Sequence, residues 1–376
     1  MEKLGLYIHI PFCVKKCYYC DFNSYANMDD LKEQYVEAII KEMGFYKESV
    51  DAVIDTIFMG GGTPTCLLPE YIDKILKACH HYFKVSGDCE ITMESNPGTL
   101  TLSMLRSIKA AGINRLSIGL QSWHDDELKR LGRIHTRAQF LDNYNNARKV
   151  GFHNINVDLM FSVPEQTIYS WKDTLDEVIQ LAPEHISVYS LILEEHTKLQ
   201  EDYYAGRLKL PDEDIDRQMY HMATCKLSEN GYNQYEISNF SKKGYECRHN
   251  LKYWRCEQYI GIGAGAHSFY HNERFSNIFL PEDYIKQVNL GIIPIAEKTL
   301  LTEKERMSEY MFLGLRLTEG INTKKFYDIF QCDVFSVYGK QINKFLQLGL
   351  MKEENNYLRL TPKGMDVSNQ VFMEFI

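Results

Sequence analysis

Three thiols stand close together near the start of the chain: Cys13, Cys17 and Cys20, in the run Cys-Val-Lys-Lys-Cys-Tyr-Tyr-Cys. Three thiolates can hold three corners of a four-iron four-sulfur cube and leave the last iron to another ligand, whereas structural clusters usually take four cysteines. An unclaimed iron invites chemistry at that iron. Zinc also accepts Cys-x2-Cys spacing, with further ligands from elsewhere. A structural zinc site normally brings a second ligand pair downstream. Cys247 and Cys256, with eight residues between them, match such a pair poorly.

The elements that must position these thiols can be read from apolar periodicity. Strands are predicted at Leu6–Ile10, Val53–Met59, Cys89–Glu94, Arg115–Leu120, Ile155–Phe161 and Ile186–Leu193. Helices are predicted near 30–47, 69–83, 101–111, 125–150 and 168–181, with Gly112 and Gly151 as C-caps. Strand alternating with helix implies a parallel sheet with right-handed crossovers. Six such units make an open sheet or a partial (β/α)6 barrel, whose chemistry gathers at the C-terminal strand ends. Polar residues and glycines collect there. The first strand runs into the cysteine loop, and the second into Gly60-Gly61-Gly62-Thr63-Pro64-Thr65. The third ends in Glu94-Ser95-Asn96-Pro97 and the fourth in Gly119-Leu120-Gln121-Ser122. The fifth carries Asp158 and ends at Pro164-Glu165-Gln166. Taken singly, each has a plainer explanation. A triple glycine is often a tight turn, Glu94 a helix-terminal charge, and Asp158 a buried partner for an arginine. No Gly-Lys-Ser/Thr follows the glycines, so a phosphate loop fits poorly. Their common rim is what favours a site.

The whole chain sets bounds on function. Its 376 residues, 44% apolar, suffice for one large domain with appendages. A net charge of −9 argues against a duplex nucleic-acid binder. Residues 1–12 lack the basic and long apolar regions of a secretory signal, and no apolar run would span a membrane. The expected location is cytoplasmic, with the ten cysteines reduced.

Tyr-Ile-His-Ile-Pro-Phe-Cys, Cys-Tyr-Tyr-Cys-Asp-Phe, Gly-Gly-Gly-Thr-Pro-Thr and Gly-Leu-Gln-Ser together resemble the radical S-adenosylmethionine (SAM) superfamily. Within it the chain is similar to the oxygen-independent coproporphyrinogen III oxidases and, more closely, to their HemW-type heme chaperone branch. The resemblance implies a 4Fe-4S cluster on Cys13, Cys17 and Cys20, with SAM chelating the open iron. By matching position, Tyr7, Tyr19, Gly61, Gly62, Thr63, Glu94, Gln121, Arg133 and Asp158 would line the SAM site. Arg133 offers a fork for the SAM carboxylate or for Asp158. Phe12, Tyr18, Tyr19 and Phe22 would help exclude water. Two departures put oxidative decarboxylation in doubt. The oxidase carries another cysteine where Phe22 stands, and a longer segment ahead of the cluster loop than the twelve residues before Cys13.

A further segment, Arg248-His249-Asn250-Leu251-Lys252-Tyr253-Trp254, resembles a heme chaperone motif in which the histidine is a candidate heme contact. Imidazole ligates heme iron, and Tyr253 and Trp254 offer flat apolar surface. Arg248, Lys252 and Arg255 would pair with propionates. A structural histidine among core aromatics is the plainer alternative, and Cys247, Cys256 and His267 are competing ligands. Residues 261–268, Gly-Ile-Gly-Ala-Gly-Ala-His-Ser, resemble a family loop near SAM.

From about residue 300 the texture becomes helical, near 302–316, 323–331 and 334–347, with Thr302 and Glu305 as a capping box. A hairpin is predicted around Glu354-Asn355-Asn356. The expected fold is thus α/β: a TIM-like partial barrel of the radical SAM type over residues 1–195. A barrel extension holding the heme-contact segment follows at 196–300, and a winged-helix-like module at 301–376. The module's third helix carries only Lys340 and Lys344, too few cations for a nucleic-acid footprint. The implied function is binding heme and passing it to an acceptor protein, with an electron donor as a further partner and membrane contact only through the acceptor. Coproporphyrinogen III oxidation, or another radical SAM reaction, is the enzymatic alternative.

Overall fold

The structure, a computed structural model, describes residues 2–376. Strands β1 (Lys3–Ile10), β2 (Val53–Gly61), β3 (Lys84–Ser95), β4 (Arg115–Gln121), β5 (Ile155–Phe161) and β6 (His185–Ser190) pair in sequence order, all parallel. Helices α1 (Lys32–Tyr46), α2 (Pro69–Tyr82), α3 (Leu102–Ala111), α4 (Arg137–Val150) and α5 (Ile168–Leu181) supply the crossovers. Every residue of β4 is buried, as expected for a parallel strand covered on both faces.

The middle of the chain adds α6 (Glu213–Glu229), β7 (Asn233–Glu236), β8 (Asn239–Ser241), α7 (Arg248–Trp254), β9 (Tyr259–Ile262), β10 (His267–Tyr270), β11 (Glu273–Asn277) and β12 (Ile295–Leu300). Strand β9 lies parallel to β1 on its free side, with Gly261 opposite Tyr7. The sheet therefore has twelve strands, in the order β12-β11-β10-β9-β1-β2-β3-β4-β5-β6-β8-β7. It is open, because β7 and β12 are its two edges. Six parallel strands are extended to seven by β9, which periodicity in the first half could not foresee.

Two local departures shape the site. The helix expected over 125–150 is broken into Asp125–Arg130 and α4. Gly132 between them takes φ +74°, and Thr136 restarts the helix with a capping box to Gln139. The break frees Arg133 from helical register. The strand expected to reach Leu193 ends at Ser190. Leu191 instead donates its backbone N–H to Phe161 and turns over the rim.

Beyond residue 300 come α8 (Glu303–Gly314), α9 (Thr323–Phe330) and α10 (Val334–Gln347). Met351–Glu354 and Tyr357–Leu360 form the expected hairpin, with Asn355 and Asn356 both at positive φ, and Ile321–Asn322 adds a third strand. These elements share a core of their own that includes Met311, Phe326, Val334, Ile342 and Leu358. Among the described residues no helix is long and apolar enough to cross a membrane.

Thr302 accepts from the Glu305 backbone while Glu305 Oε2 accepts from the Thr302 backbone at 2.7 Å. Thr302→Ala should lower the stability of this region by about 1 kcal/mol. Denaturant unfolding followed by circular dichroism checks this, and an unchanged midpoint would contradict it.

Candidate functional site

The cysteine loop leaves β1 and closes on itself. Phe12 and Cys13 pair in parallel with Tyr25 and Ala26, and the Tyr25 N–H donates to Pro11 O at 2.7 Å. The glycine loop after β2 clamps it. Gly62 N–H donates to Ile10 O and Thr63 N–H to Phe12 O, each at 2.8 Å. A Cβ at Gly62 would lie 2.7 Å from Phe12 O, so only glycine allows this approach. Gly61 has φ +111° and packs against the His9 ring.

Cys13, Cys17 and Cys20 are half-buried on one wall of a cavity of about 360 Å³. Tyr19, Gly61, Gly62, Glu94, Gln121, Arg133 and Asp158 line the same cavity. Thr63 stands behind it, with Oγ1 3.6 Å from Cys13 Sγ. Tyr7 lies one cavity further in, its hydroxyl donating to His9 Nδ1 at 3.0 Å. The rim residues singled out in the sequence are thus brought together, and His249 lines the inner cavity with Tyr7, Glu94 and Asp158.

Burial pushes the thiols of Cys13 and Cys20 up. The Thr63 hydroxyl opposes this at Cys13, and the Phe22 backbone and Ser24 hydroxyl do so at Cys20. Arg133 donates from Nη1 to Cys17 Sγ at 3.5 Å. Among the described residues no other cysteine lines this cavity. Among the described residues no three His, Cys, Asp or Glu side chains form a ready single-ion cage. Half-buried thiols with a cation beside them, and no fourth cysteine on the cavity wall among the described residues, fit a cluster held at three corners.

Arg133 departs from one expected pairing. Its Nη2 donates to Gly119 O at 2.7 Å and to Asn96 Oδ1. Asp158 is held instead by Ser117 Oγ at 2.9 Å and Asn156 Nδ2 at 2.8 Å. The guanidinium reaches the thiols because Gly119 has no Cβ, which would sit 3.1 Å from Nη2. Glu94 accepts from Gly61 N–H at 3.2 Å. Burial, reinforced by the charge of Asp158, pushes its carboxyl up to about 8. Burial also raises Asp158, against the hydrogen bonds of Ser117 and Asn156. Phe12 is a core residue outside the lining, whereas Phe22, although exposed, lines the cavity.

Sequence reasoning missed the struts. Asn96 bridges Thr63 Oγ1, at 2.7 Å, and Arg133. Asn23 Nδ2 ties the cysteine loop to Ala264 O at 3.0 Å and Phe279 O at 2.9 Å, closing residues 261–268 onto it. Glu42 is fully buried on α1 and accepts from Gly263 N–H, Asn277 Nδ2 and Tyr284 OH. Its signal was a carboxylate on the apolar face of Tyr35, Ile39 and Met43.

The heme-motif segment is α7. His249 is 1% exposed, with Nδ1 bonded to Thr56 Oγ1 and Nε2 to Tyr253 OH, each at 2.8 Å. Burial, then the charges of Lys252 and Arg115, lower its pKa to about 3, so the ring is neutral. The cations expected to be free for propionates are already paired. Lys252 binds Asp55 at 2.9 Å, Arg255 binds Glu319 at 2.9 Å, and Arg248 reaches Asp88 O and Asp55.

The geometry has a counterpart in known proteins. The Radical SAM superfamily model matches residues 7–178, and the HemN C-terminal domain model matches 301–367. The chain is 37% identical to the heme chaperone HemW of Bacillus subtilis (strain 168), covering 98% of each. The chain belongs to the HemW family of radical SAM proteins. Heme chaperone HemW of Lactococcus lactis is 35% identical over 98% of this chain and 96% of its own. Coproporphyrinogen III oxidase (HemN) from Escherichia coli superposes with a TM-score of 0.86 at 24% identity, covering 100% of this chain and 90% of that one. At that identity the likeness is one of fold.

The clamp gives a direct expectation. Gly62→Ala should retain less than about half the wild-type iron after anaerobic reconstitution, because its Cβ forces the loops apart. Full iron content would show that the clamp does not shape the site.

Proposed function

We propose that this protein is a heme chaperone that binds heme and a SAM-ligated 4Fe-4S cluster and passes the heme to an acceptor protein. The observation that carries this is similarity over 98% of the chain to proteins named heme chaperone HemW, joined to a cavity with three thiols and no further cysteine. In this reading Cys13, Cys17 and Cys20 are the cluster ligands. Tyr7, Tyr19, Gly61, Gly62, Thr63, Glu94, Gln121, Arg133 and Asp158 surround SAM, and His249 belongs to the heme site. Residues 1–195, 196–300 and 301–376 serve as core, extension and C-terminal module. The protein works in the cytoplasm with a heme-acceptor protein and an electron donor. Lys344 of the module is paired with Glu374, which supports a docking role over a nucleic-acid one.

When bound, the cluster supplies an electron to the SAM sulfonium. The chain's own part is orientation and charge. Arg133 fixes one thiolate, Asn96 joins Arg133 to Thr63, and the glycine loop brings backbone N–H and C=O groups close to the charged end of SAM. Burial leaves Glu94 largely neutral at pH 7, and the N–H groups of an iron-bound SAM amine would favour its carboxylate, so SAM binding would draw a proton off Glu94. Affinity for SAM should therefore rise several-fold as pH climbs through about 8 and level off above it. Glu94→Gln should flatten the profile; an unchanged profile in the variant would contradict this role.

The function itself is tested on anaerobically reconstituted protein. Hemin should give a stable Soret shift, and coproporphyrinogen III with SAM and reductant should give no protoporphyrinogen. Clean product formation with no heme complex would overturn the reading in favour of the oxidase.

A further inference from the structure

The inner cavity, of about 260 Å³, reaches further below the rim than the cysteine cavity. Arg115 opens β4 and His185 opens β6, so both stand at its deep end. Glu94, Asp158 and Tyr189 line both cavities, which are therefore neighbours. Part of the inner lining is polar, from Arg115, Ser117, Asn156 and His185. Another part is aromatic: Tyr7 and Phe58, stacked with ring centres 6.3 Å apart, and Tyr189.

Arg115 is 2% exposed, and its Nε is buried without a partner. Among the described residues no ion pair or hydrogen bond engages its guanidinium. A buried charge is normally paired, because taking it out of water alone is costly. The neighbours that could offset this one are uncharged or already engaged. Burial pushes the Cys247 thiol up to about 12 and raises the Tyr235 hydroxyl, so both are neutral at pH 7. Glu90 accepts from the backbone N–H groups of Arg248 and His249, at 3.2 and 3.1 Å. Asp158 is taken by Ser117 and Asn156. Burial, then the charge of Arg115, keeps His185 neutral, with Nδ1 on Asn156 Oδ1 at 2.6 Å and Nε2 on Tyr235 OH at 2.9 Å. These neighbours are satisfied, and the guanidinium is not.

We infer that the inner cavity binds a small aromatic monocarboxylate, with its carboxylate on Arg115 and its ring against Tyr7, Phe58 and Tyr189. The guanidinium presents parallel N–H groups that match a carboxylate at two points. One negative charge neutralises Arg115, whereas a dianion such as phosphate would set a second charge near Asp158 and Glu94. The flat apolar walls favour a ring over a bare head group. The volume falls below the roughly 300–1,000 Å³ of pockets for drug-sized ligands, so the occupant is small.

The test titrates the full chain, with its cluster reconstituted, with sodium benzoate in a calorimeter at constant ionic strength. Benzoate should bind saturably at a single site, and acetate more weakly. Benzamide, which has the same shape without the charge, should bind about tenfold more weakly or worse. Arg115→Met should lower benzoate affinity about tenfold or more, and Arg115→Lys should keep part of it. Circular dichroism and iron content establish that the variants are folded, and the benzoate–benzamide comparison stands on the wild type alone. Wild-type protein that binds no benzoate, or binds benzamide equally well, would overturn the site. Folded Arg115→Met with wild-type affinity would overturn the role of Arg115, and tighter binding of inorganic phosphate than of benzoate would overturn the ligand class.

Discussion

Two backbone hydrogen bonds, from Gly62 to Ile10 and from Thr63 to Phe12, hold the cysteine loop against the end of β2. Everything at the rim is referenced to that contact. It fixes where the loop leaves the sheet, and so which wall the three thiols occupy. It also places Thr63 beside Cys13, and Asn96 carries the same line on to Arg133 and Cys17. The clamp is possible only because the second strand ends in residues without side chains, one at positive φ and one against a neighbouring carbonyl. A sheet of parallel strands supplies the rigid base, since β1, β2 and β9 are buried neighbours.

Charge at the rim is sparse and held in place. Glu94 and Asp158 are raised by burial and sit near enough for Asp158 to raise Glu94 further, so at neutral pH Glu94 is uncharged. Arg133 is the cation nearest the thiols, and it is oriented by a carbonyl and an amide rather than by a carboxylate. That leaves its charge available to sulfur. The buried Glu42 does comparable work outside the cavity, anchoring the 261–268 loop that covers the free side of β1. Positioning and electrostatics thus come from different residues, and the positioning ones are mostly neutral.

Much of this was legible in the amino-acid order. The thiol spacing, the glycine triplet, Glu94, Gln121 and Asp158 are local signals at strand ends, and local signals survive folding because the strand–helix period dictates which end is the rim. The α5 and α10 limits and the Asn355-Asn356 turn were read correctly for the same reason. What was not legible depends on contacts distant in sequence. Asn23 meets Ala264 and Phe279, Glu42 meets Asn277, and β9 joins β1 from beyond residue 258. The basic cluster around α7 looked free because its partners, Asp55, Asp88 and Glu319, lie far away along the chain. The interruption at Gly132 was visible as a glycine, yet helical periodicity on both sides concealed it.

The central claim is that the protein leaves one iron of a four-iron cluster without a side-chain ligand. Mössbauer spectroscopy of protein loaded anaerobically with ⁵⁷Fe, before and after adding SAM, addresses it most directly. The account predicts a cubane cluster in which one iron site changes its parameters when SAM is added and the other sites do not. A spectrum with all irons alike and insensitive to SAM, or a preparation that takes up zinc in place of iron, would contradict it.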